Sequence, residues 1–87
     1  NMLKGKNLIK RSDVIYARFS DVGSLEISSP VKVKGFRIGN VYSIDASDEN
    51  ISEVIVAINV DQKVNIPVNS LAVINGSLTG STSLNIN

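Results

Sequence analysis

The sequence predicts an all-β fold, most simply a small closed barrel, within a single domain of 87 residues. From residue 13 onward, apolar side chains recur with a period of two, which gives a strand one buried and one exposed face. Turn residues interrupt this pattern at roughly 8- to 12-residue intervals, as in sandwiches and barrels. No window carries apolar residues at helical spacing. A closed barrel is favoured because closure removes exposed edge strands.

Six segments carry the strand pattern, and turn residues separate them. In chain order they span residues 13–19, 31–33, 36–44, 53–60, 71–75 and 81–86. The fourth, EVIVAINV, gives the strongest signal because it is rich in valine and isoleucine, which favour strands, and four of them share one predicted face: Val54, Val56, Ile58 and Val60. The acidic segment 45–52 is predicted to be an exposed loop. Pro67 stiffens the connection that precedes the fifth strand.

The segment SSPVKVKGFRIGNVYSI (residues 28–44) contains one proline and two glycines whose positions are informative. Pro30 is expected to begin a strand, where no ladder donor is needed. Lys34-Gly35 is expected to form a tight turn, because Gly35 accepts a positive φ. Gly39 lies within a strand, where glycine usually marks a bulge or a close backbone approach. Strict alternation predicts one shared face for Phe36, Ile38, Asn40, Tyr42 and Ile44.

The composition removes most catalytic and metal chemistry. The chain has no histidine and no cysteine, which excludes an imidazole base, a Ser-His-Asp triad and a thiolate nucleophile. Four acidic residues lie close together without the ligand order of an EF-hand loop, so a solvated turn is favoured: Asp45, Asp48, Glu49 and Glu53. The segment NGSLTGSTS lacks the P-loop lysine and is expected to be a hairpin tip. The sequence predicts a non-enzyme with no cofactor and no metal site.

The first eleven residues are basic, whereas the remainder carries more acidic than basic side chains. The basic residues are Lys4, Lys6, Lys10 and Arg11. This segment could contact anionic lipid or RNA, but a solvated linker is the favoured interpretation. No stretch approaches the ~20 apolar residues of a membrane span, and no signal peptide is present. Because Asn1 precedes Met2, the chain is expected to be a fragment, and an upstream anchor is left open.

Binding of single-stranded nucleic acid is an alternative function for a small barrel. Such barrels combine a basic groove with aromatic side chains on which bases stack. The basic candidates are Lys32, Lys34 and Arg37. The aromatic candidates, several of which are expected to face the core, are Tyr16, Phe19, Phe36 and Tyr42.

The segment FSDVGSLEISSPVKVKGFRIGNVYSI resembles the signature of the MCE (mammalian cell entry) domain family, in its MlaD type. The matching positions are Phe19, Asp21, Val22, Leu25, Pro30, Val31, Val33, Gly35, Ile38, Gly39, Val41 and Ile44. Downstream, VIVAINVDQKVNIPVNSLAVI and LTGSTSLNI resemble the following family segments. Gly23-Ser24 departs from the pattern, which usually has its glycine directly before the leucine. The resemblance covers residues 13–87 and identifies residues 1–12 as a linker that follows a missing transmembrane helix.

The resemblance implies a seven-stranded barrel that acts in lipid transport. Such domains are similar to subunits of periplasmic rings, commonly homohexamers, in Gram-negative bacteria. These rings move phospholipids or other apolar molecules between the inner and outer membranes, and an ABC permease and ATPase supply the energy. The protein would be anchored in the inner membrane and would bind no nucleic acid. The loop between the last two strands would line the central pore: Gly76, Ser77, Leu78, Thr79 and Gly80.

Two departures from the family pattern affect this expected pore. Thr79 stands where the family usually has a second leucine, and Ser83 stands in place of the usual tyrosine. One leucine per subunit, Leu78, would form a wider and more polar collar. An exposed leucine at a hairpin tip is also common on protein surfaces. A ring with an adhesive or structural role is therefore a second alternative, and it would show no apolar lining.

Overall fold

The computed structural model of the chain describes residues 2–7, 9–11, 14–67, 70–76 and 81–87. These residues form eight β-strands and no helix, which confirms the predicted all-β class. The strands are β1 (Met2–Asn7), β2 (Ile9–Arg11), β3 (Val14–Phe19), β4 (Pro30–Val33), β5 (Phe36–Ala46), β6 (Val54–Val60), β7 (Leu71–Gly76) and β8 (Thr82–Ile86). Each of the six segments identified from alternation corresponds to one of the strands β3 to β8. The expected count of seven strands is slightly wrong, because the basic N-terminal segment contributes two strands.

The strands form one sheet in the order β1-β7-β8-β4-β5-β6-β3-β2. Neighbours are antiparallel except β4 and β8, which run parallel. The six strands β3 to β8 form a curled half-barrel with β7 and β3 at its edges. In the sequence, β1 and β2 are separated by one residue, yet β1 pairs with β7 and β2 pairs with β3. The N-terminal segment therefore spans the gap between the two edge strands.

The strands β1 and β2 lie within the segment 1–12, which the sequence predicts to be a linker. Pairing at a sheet edge uses backbone N–H and C=O groups, so it needs no alternation of apolar side chains. A lysine-rich segment can therefore form an edge strand, although its sequence shows no strand pattern. The assignment of residues 1–12 to a linker that follows a membrane helix stays a prediction.

The segment 28–44 contains a hairpin turn at Lys34-Gly35 and a close backbone contact at Gly39. Pro30 begins β4, and the Lys34-Gly35 turn joins β4 to β5 with φ values of +51° and +82°. Positive φ at both central residues is the type I′ geometry that matches the twist of a hairpin. A Cβ on Gly39 would collide with the backbone carbonyl oxygen of Asn59 on β6. Gly39 is therefore a point of close backbone approach between β5 and β6.

The prediction of one shared face on β5 is wrong, because β5 contains two bulges. The β4 partners Val31 and Lys32 pair with Gly39 and Arg37, which leaves one extra residue on β5. A second extra residue follows Val41 in the pairing with β6. Each bulge shifts the alternation by one residue. Ile38 and Val41 are consequently both buried, and two of the five predicted side chains are exposed instead: Phe36 and Tyr42.

A core of aliphatic side chains and one phenylalanine fills the interior of the curled sheet. Its fully buried members include Ile15, Phe19, Val31, Ile38, Val41, Val56, Ile58 and Leu84. Leu25 lies in the loop between β3 and β4 and is also buried, at 5% exposure, so this loop covers one opening of the core. The loop is held by β5: the Ser28 N–H donates to the Val41 carbonyl (2.8 Å), and the Val41 N–H donates to the Ser29 carbonyl (2.9 Å).

Candidate functional site

The curled sheet has two ends, and each carries a candidate site. The hairpin end comprises the Lys34-Gly35 turn, residues 61–67 and Asn87. Asn87 lies near the turn because β4 and β8 run parallel and end together, with Val33 opposite Ile86. The loop end comprises residues 20–29 and 47–53 and the connection between β7 and β8. Gly76 pairs with Thr82 at this end. The strand residues that flank the predicted pore loop, Gly76 and Thr82, and the Lys34-Gly35 turn therefore lie at opposite ends of the sheet.

The predicted pore loop begins at the last residue of β7. Gly76 is exposed, and a Cβ placed on it would have no atom within 4 Å. The other four predicted residues lie outside the described part of the chain: Ser77, Leu78, Thr79 and Gly80. On the other side of the loop, Thr82 is buried at 8% exposure. The structure thus defines both strands from which the loop emerges.

A side-chain hydrogen bond ties the base of this loop to the loop between β3 and β4. The Ser24 and Thr82 hydroxyl oxygens lie 2.6 Å apart. The neighbouring Gly23 has a φ of +56°, and its N–H donates to an Asp21 carboxylate oxygen at 2.8 Å. Gly23 thus occupies a left-handed position that glycine adopts at little cost. The departure at Gly23-Ser24 therefore provides both the turn and the hydroxyl that contacts β8.

The acidic residues at the loop end mainly stabilise their own turn. One Asp48 carboxylate oxygen accepts hydrogen bonds from the N–H groups of Asn50 (3.0 Å) and Ser52 (3.1 Å). Hydrogen bonds from the Ser52 side chain and backbone lower the pKa of Asp48 below the ordinary aspartate value. Glu53 forms an ion pair with Arg18 at 3.1 Å. Within the described residues, no three acidic side chains are grouped to hold a metal ion.

Only some of the basic and aromatic residues proposed for nucleic-acid binding are available to contact a ligand. Phe19 is fully buried, so it cannot stack on a base. Tyr16 is half-buried, and Phe36 and Tyr42 are exposed. Arg37 is already engaged by Asp61, through hydrogen bonds of 2.9 and 3.3 Å. The expectation that several aromatic residues face the core is correct for Phe19 alone. The aromatic platform on which this alternative depends is therefore incomplete.

An apolar cleft of about 690 Å³ opens at the hairpin end. Its apolar lining consists of Val33, Phe36, Ile38, Val64, Pro67 and Ile86, and its polar lining consists of Lys34, Asn65 and Asn87. The lining comes from the hairpin of β4 and β5, from the connection before β7 and from β8, three parts of the chain that are distant from one another in sequence. Sequence reasoning missed this cleft and treated Pro67 only as a stiff connection. The apolar residues of the segment KVNIP were the available signal.

Comparison with known proteins identifies the family. The family model described as "MlaD protein" matches residues 11–87, which include all of β3 to β8. A search of curated proteins found no match. Among the described residues, no helix is long and apolar enough to cross a membrane. The family is associated with lipid transport, is generally non-catalytic, and is known as periplasmic and anchored to the inner membrane. The match over most of the chain, together with the all-β fold, shows that this protein belongs to the MlaD family.

Proposed function

We propose that this protein is the substrate-binding component of an ABC-transporter-linked system that moves phospholipids or other apolar molecules between the inner and outer membranes. It acts as a homohexameric ring with a central pore, in the periplasm of a Gram-negative bacterium. A helix that precedes residues 1–12 anchors it in the inner membrane. The family match over residues 11–87 is the observation that carries this proposal.

The pore loop shields an apolar tail without doing chemistry. Burial of apolar surface contributes about 25 cal/mol per Å², so a collar of Leu78 side chains from six subunits favours an acyl chain over water. Thr79 makes this collar more polar than one with two leucines per subunit, which suits weak binding and rapid release. The energy for directional transport comes from the ATPase partner.

The described structure supports this role through the base of the loop. Pairing of Gly76 with Thr82 holds the two ends of the loop in the sheet. The hydrogen bond between Ser24 and Thr82 links this base to the loop that buries Leu25. A loop that emerges from such a rigid base projects in the same direction in every subunit of a ring.

Native mass spectrometry of the membrane-extracted full-length protein tests the proposal. We expect a hexamer with bound phospholipid, and we expect Leu78→Asn to lose the lipid while keeping the hexamer. Ile51→Asn is the matched control, because Ile51 is an exposed apolar residue (63%) of another loop at the same end. Its φ of +52° is tolerated by asparagine, so this variant should fold normally and retain lipid. A lipid-free ring that neither substitution changes would contradict pore transport and indicate a structural ring.

A further inference from the structure

We infer that the cleft at the hairpin end binds a single-chain anionic amphiphile, such as an alkyl carboxylate or an alkyl phosphate. The alkyl chain lies against Val33, Phe36 and Val64, and the anionic head group lies at Lys34. This site is distinct from the proposed pore, because the cleft lies at the opposite end of the sheet from Gly76 and Thr82, which flank the pore loop. It therefore stands independently of the ring mechanism.

The apolar lining provides the first argument. Ile38 and Ile86 are buried, at 0% and 2% exposure, and contribute the floor of the cleft. Phe36, at the side of the cleft, is 60% exposed, because the bulge on β5 turns this residue away from the core. An exposed phenylalanine above a buried aliphatic floor leaves apolar surface that a ligand can cover. Burial of that surface by an alkyl chain is favourable.

The size of the cleft selects one alkyl chain. A volume of about 690 Å³ lies within the usual range of small-molecule sites. It holds on the order of 20 groups the size of water, since one water occupies about 30 Å³ of the liquid. Decanoate, with nine alkyl carbons and one carboxylate, fits within that limit. A phospholipid with two long acyl chains exceeds it.

The charges around the cleft select an anionic head group. Lys34 lines the cleft, is exposed, and has no ion-pair partner among the described residues. Lys63 precedes the lining residue Val64 and is also exposed. Among the described residues, Asp61 is the one acidic side chain at the hairpin end, and it forms an ion pair with Arg37. The other described acidic side chains lie toward the loop end: Asp21, Glu26, Asp45, Asp48, Glu49 and Glu53.

The geometry of the turn positions the cation at the cleft. Lys34 has a φ of +51°, a conformation that non-glycine residues seldom adopt. The type I′ turn imposes this conformation, so the backbone that carries the Lys34 side chain is held between β4 and β5. A lysine in this position presents its ammonium group to the head of a ligand whose tail lies in the cleft.

Isothermal titration of the chain with decanoate, decyl phosphate, decanol and decylammonium, each below its micelle-forming concentration, tests this inference. We expect one decanoate or decyl phosphate per chain, and a loss of affinity of up to about fourfold for each methylene removed. Decanol should bind more weakly, and decylammonium weakest of all. Comparison of decanoate with decyl phosphate shows whether the site prefers a carboxylate or a phosphate.

Variants separate the head-group contact from the tail contact. Lys34→Gln should weaken decanoate binding about two- to fivefold, as for an exposed ion pair, and leave decanol binding unchanged. Val64→Asn should weaken both ligands. Lys32→Gln is the matched control, because this lysine lies on β4 outside the cleft lining and its loss should change little. Equal binding of anionic and cationic ligands, or no effect of Lys34→Gln, would overturn the assignment.

The same titrations distinguish this inference from the proposed pore. Leu78→Asn should leave decanoate binding by the chain unchanged, because the residues that flank this loop, Gly76 and Thr82, pair at the end of the sheet opposite to the cleft. If Leu78→Asn abolishes it, the ligand occupies the loop and the cleft assignment is wrong. Loss of phospholipid from the full-length ring in Leu78→Asn, by contrast, concerns only the pore.

Discussion

Replacement of Gly39 by alanine should destabilise the fold strongly, because the backbone of β6 leaves no room for a side chain at this residue. The new Cβ would collide with the carbonyl oxygen of Asn59 and would lie 2.9 Å from the Asn59 carbonyl carbon and 3.0 Å from the Val60 Cα. All three atoms belong to the backbone of β6, so no side chain can rotate away. The two strands must separate, or the bulge on β5 must be lost.

The magnitude follows from steric strain and from the hydrogen bonds at this point. Overpacking in a closely packed region costs about 1–3 kcal/mol, and each backbone hydrogen bond that is weakened costs about 1 kcal/mol. Gly39 and Asn40 pair with Val60 and Asn59 across this contact. We therefore expect Gly39→Ala to lower the free energy of unfolding by about 2–4 kcal/mol, a large part of the roughly 5–15 kcal/mol that holds a small domain.

Urea denaturation followed by circular dichroism measures this loss, with two other glycines as controls. Gly76→Ala should change stability by less than about 0.5 kcal/mol, because its Cβ would meet no atom within 4 Å. Gly35→Ala also has open space, but a φ of +82° should cost about 1–2 kcal/mol. If Gly39→Ala is as stable as Gly76→Ala, then the close approach of β5 and β6 is wrong.

Two further predictions concern the loop end. Ser24→Ala should destabilise the fold by about 1 kcal/mol in urea titrations, because it removes the 2.6 Å hydrogen bond to Thr82. A double-mutant cycle with Thr82→Val should show coupling between the two substitutions, and strict additivity of their effects on stability would argue against the bond. Asp48 should titrate below the ordinary aspartate pKa in carbon-detected NMR, because Ser52 hydrogen-bonds its ionised form. Its contribution to stability is therefore present above the unfolded-state pKa and is lost as the pH falls through the lower folded-state pKa. Ser52→Ala should return the pKa toward its ordinary value, and an unchanged pKa would contradict this cause.

The strands from β3 to β8 could be predicted from the sequence because burial of one face imposes alternation of side chains. The strands β3 and β8 show this most clearly, because every second residue of each is buried, and Pro30, Gly35 and Gly39 mark backbone requirements that few other residues meet. The faces of Phe36 and Tyr42 could not be predicted, since the two bulges on β5 depend on its pairing with β4 and β6. A bulge leaves no reliable mark in a single sequence apart from an occasional glycine.

The N-terminal strands and the cleft were hidden from sequence reasoning for different reasons. Residues 2–7 and 9–11 pair through their backbone at sheet edges, which imposes no side-chain pattern. The cleft brings together Val33, Val64 and Ile86, which are far apart in the sequence. Val33 and Ile86 are adjacent because β4 and β8 run parallel. The predicted pore loop shows the converse. A resemblance to known sequences identifies its residues, while the described structure defines its base at Gly76 and Thr82.

Site-specific photo-crosslinking tests the central claim most directly, because it reports contact between the loop and lipid in the working assembly. A photoreactive benzoyl-phenylalanine would replace Leu78 in the full-length protein, expressed in cells whose phospholipids carry radioactive phosphate. The same replacement at Ile51, an exposed apolar residue at the same end, provides the control. Transport through the pore predicts labelled lipid crosslinked at position 78 and little at position 51. Equal labelling at both positions, or none at position 78, would contradict it.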